Sequence, residues 1–188
     1  MVILINLLGS PSCGKTTLSA QLFADLKIRN LNAELCPEYV KAWAWELKKI
    51  GPFSQFYIFG KEVYHQSRLF DKVDFIISDS PAMLSAFYHY YYNKNGALNE
   101  VCQNYYKLAE KSGVEVLNFF LPRKKKYVQQ GRYQTEKEAD EVAEGLKKWL
   151  AEQGYTYTYL DCPDEDRLDV IIQKLKEITG DFNGMFLA

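Results

Sequence analysis

Apolar and polar positions divide the 188-residue chain into alternating periods of two kinds. The nearly unbroken apolar run VILINLL at 2–8 predicts a strand covered on both faces, as in a parallel sheet. Leu18, Leu22 and Leu26 then recur every fourth residue and predict a helix over 15–29. A short strand over 33–37 follows, then helices over 40–50 and 54–71 broken at Gly51-Pro52, with Ser54 as an N-cap. VDFIIS at 73–78 is a third strand, and helical stretches over 82–93 and 98–111 lead to a fourth, VEVLNFFL at 114–121.

The segment 122–135, PRKKKYVQQGRYQT, is polar and basic and predicts a mobile loop. Thr135 with Glu138 forms a capping box, and Ala139, Val142, Ala143, Leu146, Trp149 and Leu150 keep the spacing of a core-facing helix. YTYTYL at 155–160 alternates as a fifth strand, and Leu168, Ile171, Ile172, Leu175 and Ile178 mark a last helix stopped by Gly180. Strands alternating with helices predict an α/β fold: a five-stranded parallel sheet with right-handed crossovers, helices on both faces, and a basic lid loop. The organisation expected is a single domain over 1–181, with a tail at 182–188 that carries no readable pattern.

Composition narrows the function. A net charge of −1 lacks the basic field of a protein that coats nucleic acid non-specifically, so any such contact must be local. Cys13, Cys36, Cys102 and Cys162 are widely spaced and form no CxxC pair, which predicts neither a zinc site nor a disulfide framework and suits a reducing cytoplasm. The N-terminal apolar run is too short for a membrane span or a signal segment, so no membrane partner is expected. Fourteen Tyr, eleven Phe and three Trp exceed the needs of a core this size, leaving rings for a ligand or for a Tyr-rich surface.

The chemistry concentrates at the carboxyl ends of the predicted strands, where ligands of such sheets bind. Gly9-Ser10-Pro11-Ser12-Cys13-Gly14-Lys15-Thr16 matches GxxxxGK[ST] between a strand and a helix. In such a P-loop the backbone N–H groups of Gly9, Ser12, Cys13 and Gly14 cradle the phosphates of ATP, Lys15 bridges the β- and γ-phosphates, Thr16 holds Mg²⁺, and Thr17 is placed to reach the α-phosphate. Asp79, closing the third strand, is a second Mg²⁺ candidate, and the Ser80-Pro81 that follows supplies no carboxylate to orient a hydrolytic water. Asn93-Lys94-Asn95-Gly96 lacks the Asp of a guanine-reading NKxD and reads as a turn. These features point to a kinase rather than a nucleotide switch or a motor.

Glu38, after the second strand, lies where an acceptor hydroxyl would approach in line, which makes it the candidate base; the alternative is a surface Glu at a helix start. Arg132 and Arg123 in the basic loop are candidates to fork onto phosphate oxygens as a lid closes, the alternative being a solvated loop. Tyr39, Trp43 and Trp45, together with Tyr88, Tyr90, Tyr91 and Tyr92, are candidate platforms for a base, although packing explains many of them equally well. Arg68, with His65 nearby, is a candidate for an acceptor phosphate.

The successive segments NLLGSPSCGKTTLSAQLFADLK, PEYVKAWAW, FGKEVYHQSR, VDFIISDSP and NFFLPRKKKYVQQGRYQTEKEA resemble the motifs of phage-encoded kinases of DNA base hypermodification, over about residues 3–160. Those kinases are similar in turn to nicotinamide riboside and deoxynucleoside kinases. The resemblance implies an ATP- and Mg²⁺-dependent 5-hydroxymethyluracil DNA kinase acting in a host cytoplasm, and it supports Lys15, Thr16, Asp79, Arg132 and Glu38 in the roles given. Ser10-Pro11-Ser12-Cys13 stands where that group carries a glycine-rich stretch. Two other readings stay open: a kinase of a free nucleoside, nucleotide or nicotinamide riboside, and a non-catalytic ATP-binding regulator.

Overall fold

A computed structural model describes residues 1–182. The remainder of the 182–188 tail lies outside the described residues.

Five parallel strands form one sheet in the order β2-β3-β1-β4-β5: β1 Val2–Leu8, β2 Ala33–Cys36, β3 Phe75–Ser78, β4 Val114–Phe120 and β5 Thr158–Tyr159. The helices are α1 Lys15–Ile28, α2 Lys41–Trp45, α3 Ser54–Ser67, α4 Ala82–Asn93, α5 Ala97–Lys111, α6 Glu136–Glu152 and α7 Arg167–Thr179. Alternate β1 side chains feed two cores. Leu4 and Leu8 face α4, α5 and α6, while Ile3, Ile5 and Leu7 face α1 and α7. Full burial on both faces accounts for the apolar run without alternation that the sequence shows at 2–8.

Besides α3, expected to run to 71 and ending at Ser67, three features differ from the sequence reading, each for a local reason. β5 was expected over 155–160, yet only Thr158 and Tyr159 join the ladder, opposite Phe119 and Phe120. The earlier backbone groups are engaged elsewhere: the Tyr155 N–H donates to Leu150 O at the end of α6, and the Thr156 carbonyl accepts from Asn118 Nδ2. The helix expected over 40–50 stops at Trp45, because Leu47 adopts φ 54° and Lys48 N–H returns to Trp43 O. Ser54 does not cap α3; it is the first helical residue, and its Oγ accepts from Gly51 N–H across 2.9 Å.

The Thr135–Glu138 capping box is present, and Gly180 ends α7 in the left-handed conformation. Of the Asn93–Gly96 segment expected to be a turn, Asn93 is the last residue of α4, and 94–96 are a short connection to α5 that starts with Lys94 at φ 52°. No helix of the described residues is long and apolar enough to cross a membrane.

Candidate active site

The strand order places the carboxyl ends of β2, β3, β1 and β4 along one edge. The loop from β1 to α1 lies at its centre. Gly9 is demanded by close approach: a Cβ there would fall 2.6 Å from Leu121 O and 2.7 Å from Cys13 Sγ. The Cys13 side chain is buried in the α1-side core, so it packs beneath the loop and leaves its backbone above. Ser12 holds φ 66°, a strained conformation for a non-glycine residue and one that persists only where surrounding structure enforces it. Here the lid does so in part, since Val128 N–H donates to Ser12 Oγ at 3.2 Å. The Lys15 ammonium donates to Gly9 O at 2.9 Å and Ser10 O at 3.2 Å, spanning the loop at whose end α1 begins.

One cleft gathers most of the predicted residues. It is lined by the P-loop from Ser12 to Thr17, by Glu38 and Lys41, by Tyr88 and Tyr92 of α4, and by Gly131 and Arg132 of the lid. Asp79 is buried at the end of β3, with Oδ1 lacking a hydrogen-bond partner. Burial raises its pKa, while Lys15, the Thr16 hydroxyl, Lys41 and Arg132 pull it back. Glu38 is half-buried; loss of solvent raises its pKa most, with Asp79 adding to the rise and Lys15, Lys41 and Arg132 opposing it. Two carboxylates and three cations therefore share one small volume. A buried, unpartnered carboxylate oxygen beside a hydroxyl suits Mg²⁺, which binds through one or two carboxylates plus substrate phosphates rather than in an all-protein cage. Thr16 and Asp79 fit that ion.

The lid is seated. Lys41 Nζ donates to Gly131 O at 3.3 Å, Tyr133 Oη to Lys48 O at 2.7 Å, and Gln134 Nε2 to Tyr92 Oη at 3.0 Å. Gly131, at φ 70°, lies so close to Trp45 that a Cβ would fall 2.8 Å from the indole. Arg132 lines the cleft from this roof.

Other predicted residues lie elsewhere. Arg123 pairs with Glu136 at 2.7 Å and with Asp140, both on α6, and sits over the Tyr127 ring; it is not among the residues lining the cleft. Lys124 and Lys125 pair with Asp161 and Asp164. Tyr39, Trp43 and Arg68 lie outside the cleft lining, the first two in an aromatic cluster with Tyr57 and the third at the far end of α3. Of the α4 tyrosines, Tyr88 and Tyr92 reach the cleft, stacked with 9° between their planes and 5.9 Å between centroids.

Two further residues bear on the site and were not singled out from sequence. Glu62 of α3 is fully buried, accepts the Tyr39 N–H at 3.2 Å on Oε1, and leaves Oε2 unpartnered. Burial, aided by Glu38 and Asp79, pushes its pKa to about 8, against the Tyr39 hydrogen bond. Arg167, 2% exposed, donates to Cys13 O at 3.0 Å and to Pro122 O at 2.6 Å, and pairs with Asp164 at 2.7 Å. It ties the P-loop to the end of β4 and the start of α7. Periodicity held a signal for both: position 62 continues the buried 55, 58, 59 stripe of α3, and 167 lies one turn before Ile171 on the buried face of α7.

A family model described as "AAA domain" matches residues 4–167. The chain belongs to that AAA-domain family. Among solved structures it is similar to the NadR protein in complex with NAD and AMP-PNP, at 21% identity and TM-score 0.65, over 95% of this chain and 50% of that one. It is also similar to deoxyadenosine kinase from M. mycoides, both with bound dATP and with products dCMP and a flexible dCDP bound. Those two matches are each 15% identical, with TM-scores of 0.59 and 0.58, and cover 94% and 93% of this chain and 100% and 99% of those. The chain thus spans half the length of the NadR chain and essentially all of the deoxyadenosine kinase chain. At these identities the likeness establishes the fold. No curated protein matches the sequence.

Proposed function

We propose that this AAA-domain protein is an ATP-dependent kinase, with residues 1–181 as the working unit, and that its acceptor is the hydroxymethyl group of 5-hydroxymethyluracil in DNA. The observation that carries the kinase reading is that Lys15, Glu38 and Arg132 line one cleft, with Asp79 buried at the end of β3 within the influence of the same two cations. The residue after Asp79 is Ser80, so no neighbouring carboxylate is set to orient water. The DNA acceptor is supported by the resemblance of the sequence motifs to hypermodification kinases and by the paired Tyr88 and Tyr92 rings in the cleft, flat surfaces suited to an extruded base.

In this reading Glu38 accepts the proton of the acceptor hydroxyl as its oxygen attacks the γ-phosphorus and the bond to the ADP oxygen breaks. Lys15 and Arg132 neutralise the charge that develops on the transferring group, with Arg123 holding the base of the lid. Thr16 and Asp79 would hold Mg²⁺, which would supply further neutralisation of the phosphates. Gly9, Ser12, Cys13, Gly14 and Thr17 contribute backbone or hydroxyl contacts to the triphosphate. The seated lid excludes water that would otherwise take the phosphoryl group. Such chemistry belongs in a cytoplasm, where ATP is available.

A second reading, a kinase of a free nucleoside, nucleotide or nicotinamide riboside, is supported by the nucleotides and NAD bound in the similar structures. Incubation with γ-labelled ATP separates the readings. Label on an oligonucleotide containing 5-hydroxymethyluracil, and not on the free nucleosides, is expected; label on a small molecule alone supports the second reading. Nucleotide binding with no transfer to any acceptor contradicts both and leaves a non-catalytic ATP-binding role.

A further inference from the structure

The face of α3 opposite its buried stripe carries Tyr57, Lys61, Tyr64 and Arg68 at intervals of four, three and four residues, which places all four on one side of the helix. The inward residues Gln55, Ile58, Phe59, Glu62 and Gln66 already anchor α3, so this outer row is not needed to hold the helix. Tyr57 is 50% and Tyr64 60% exposed. Rings and cations alternate in contact: Lys61 Nζ lies 5.4 Å from the Tyr57 centroid, and the Arg68 guanidinium lies 6.0 Å from that of Tyr64.

The row continues onto α2. Trp43 lies parallel to Tyr57, with 9° between planes and 6.0 Å between centroids, and Lys48 Nζ sits 3.6 Å over the Trp43 ring. Tyr39 closes the cluster through its hydroxyl contact with Tyr57 at 2.9 Å. It is also the residue next to Glu38. Among the described residues none of Lys48, Lys61 and Arg68 pairs with a carboxylate, whereas Arg123, Lys124, Lys125 and Lys147 all do. The row therefore offers rings for stacking and uncompensated positive charge from Tyr57 to Arg68, roughly 16 Å along the helix.

We infer that this face is a track for a single strand of DNA leading to the cleft, with bases stacked on the exposed Tyr57 and Tyr64 and phosphates set against Lys48, Lys61 and Arg68. The inference rests on the DNA-acceptor reading. Single strands bind through aromatic platforms interleaved with cations, because every base has a flat face and every linkage a charge. A duplex hides its base faces and cannot use the rings. A small free nucleoside has no need of a row this long. Two of the three cations are lysines, which protein interfaces disfavour.

The test is fluorescence anisotropy with a labelled 15-residue oligonucleotide containing one 5-hydroxymethyluracil, single-stranded and as a duplex. Wild type, Tyr64→Ala and the pair Lys61→Glu and Arg68→Glu are compared, with thermal unfolding and ATP affinity as controls for the fold. Tighter binding of the single strand is expected, weakened about 5- to 150-fold by Tyr64→Ala, as for loss of one stacking platform. The charge-reversed pair should also flatten the dependence of affinity on salt. Transfer to DNA with binding indifferent to all these variants overturns the track and leaves the kinase reading standing. Transfer to free nucleosides alone overturns the DNA acceptor and the track together. Loss of self-association in the variants, with DNA binding unchanged, overturns the track in favour of a second copy of this chain.

Discussion

The backbone N–H of Tyr39 donates to Oε1 of Glu62 across 3.2 Å, fastening the segment that follows Glu38 to a carboxyl buried in α3. Glu38 is thus positioned by a residue on another element. The Glu62 Oε2 has no partner, and burial raises the Glu62 pKa to about 8, so near neutral pH the group is largely the uncharged acid. A neutral acid can hold the segment after β2 without adding negative charge beneath Glu38 and Asp79.

Stability should respond to pH accordingly. Because the Glu62 pKa is higher in the folded than in the unfolded chain, where it lies near 4.3, the fold binds the extra proton. That contribution is fully present below the unfolded value and is lost as pH rises through about 8. Glu62→Gln removes the proton requirement. Its unfolding free energy relative to wild type should therefore improve as pH rises from 5 to 9, by up to roughly 1.4 kcal/mol per unit below the folded pKa. Urea melts across that range check this; a constant difference contradicts it.

Glu38→Gln should lower phosphoryl transfer by about 10²- to 10⁴-fold, the usual loss of a general base, while ATP affinity changes little. The wild-type rate should fall on acidification through the raised Glu38 pKa, and that acidic limb should vanish in the variant. Single-turnover rates between pH 5 and 8 provide the comparison. An unchanged rate removes Glu38 from the mechanism.

Arg167 is the strut under the P-loop, so Arg167→Ala leaves Asp164 and Cys13 O without their shared partner. Asp164 keeps Lys125, so a loss of about 1–3 kcal/mol is expected, as for buried acceptors left unsatisfied. Arg167→Lys, which keeps the charge but loses the fork, should recover part of the stability and little of the ATP affinity. Denaturant titration and nucleotide titration separate the two effects.

Gly131→Val imposes a β-branched residue at φ 70° and drives Cβ toward the Trp45 indole. The lid should lift from α2. Water then enters, and ADP formation without an acceptor should rise severalfold as coupled transfer falls. Equal rates in wild type and variant mean that the Trp45 contact does not hold the lid.

Much of the fold was legible because short-range pattern encodes it. The apolar run at 2–8, the stripes of α1 and α6 and the Thr135–Glu138 cap are each local. The P-loop was legible for the same reason: its residues are consecutive, and its strand and helix flank it directly. Harder to see were features set by distant partners. Glu62 reads as an ordinary charged residue of an amphipathic helix until α3 packs beneath the segment after β2, and Arg167 acquires its meaning from carbonyls at residues 13 and 122. Arg123 shows the converse. Its position in a basic loop suggests a phosphate, yet Glu136 and Asp140 one turn apart on α6 hold it. The brevity of β5 follows from competition for the backbone groups of Tyr155 and Thr156, which no periodicity displays.

On the proposed function, this P-loop delivers phosphate to an acceptor rather than to water. Parallel measurement of ADP, inorganic phosphate and phosphorylated acceptor, with and without DNA containing 5-hydroxymethyluracil, tests it directly. ADP formation should rise steeply with the acceptor, match phosphorylated product one for one, and disappear in Lys15→Ala. Release of ADP and inorganic phosphate at the same rate with or without any acceptor would contradict it.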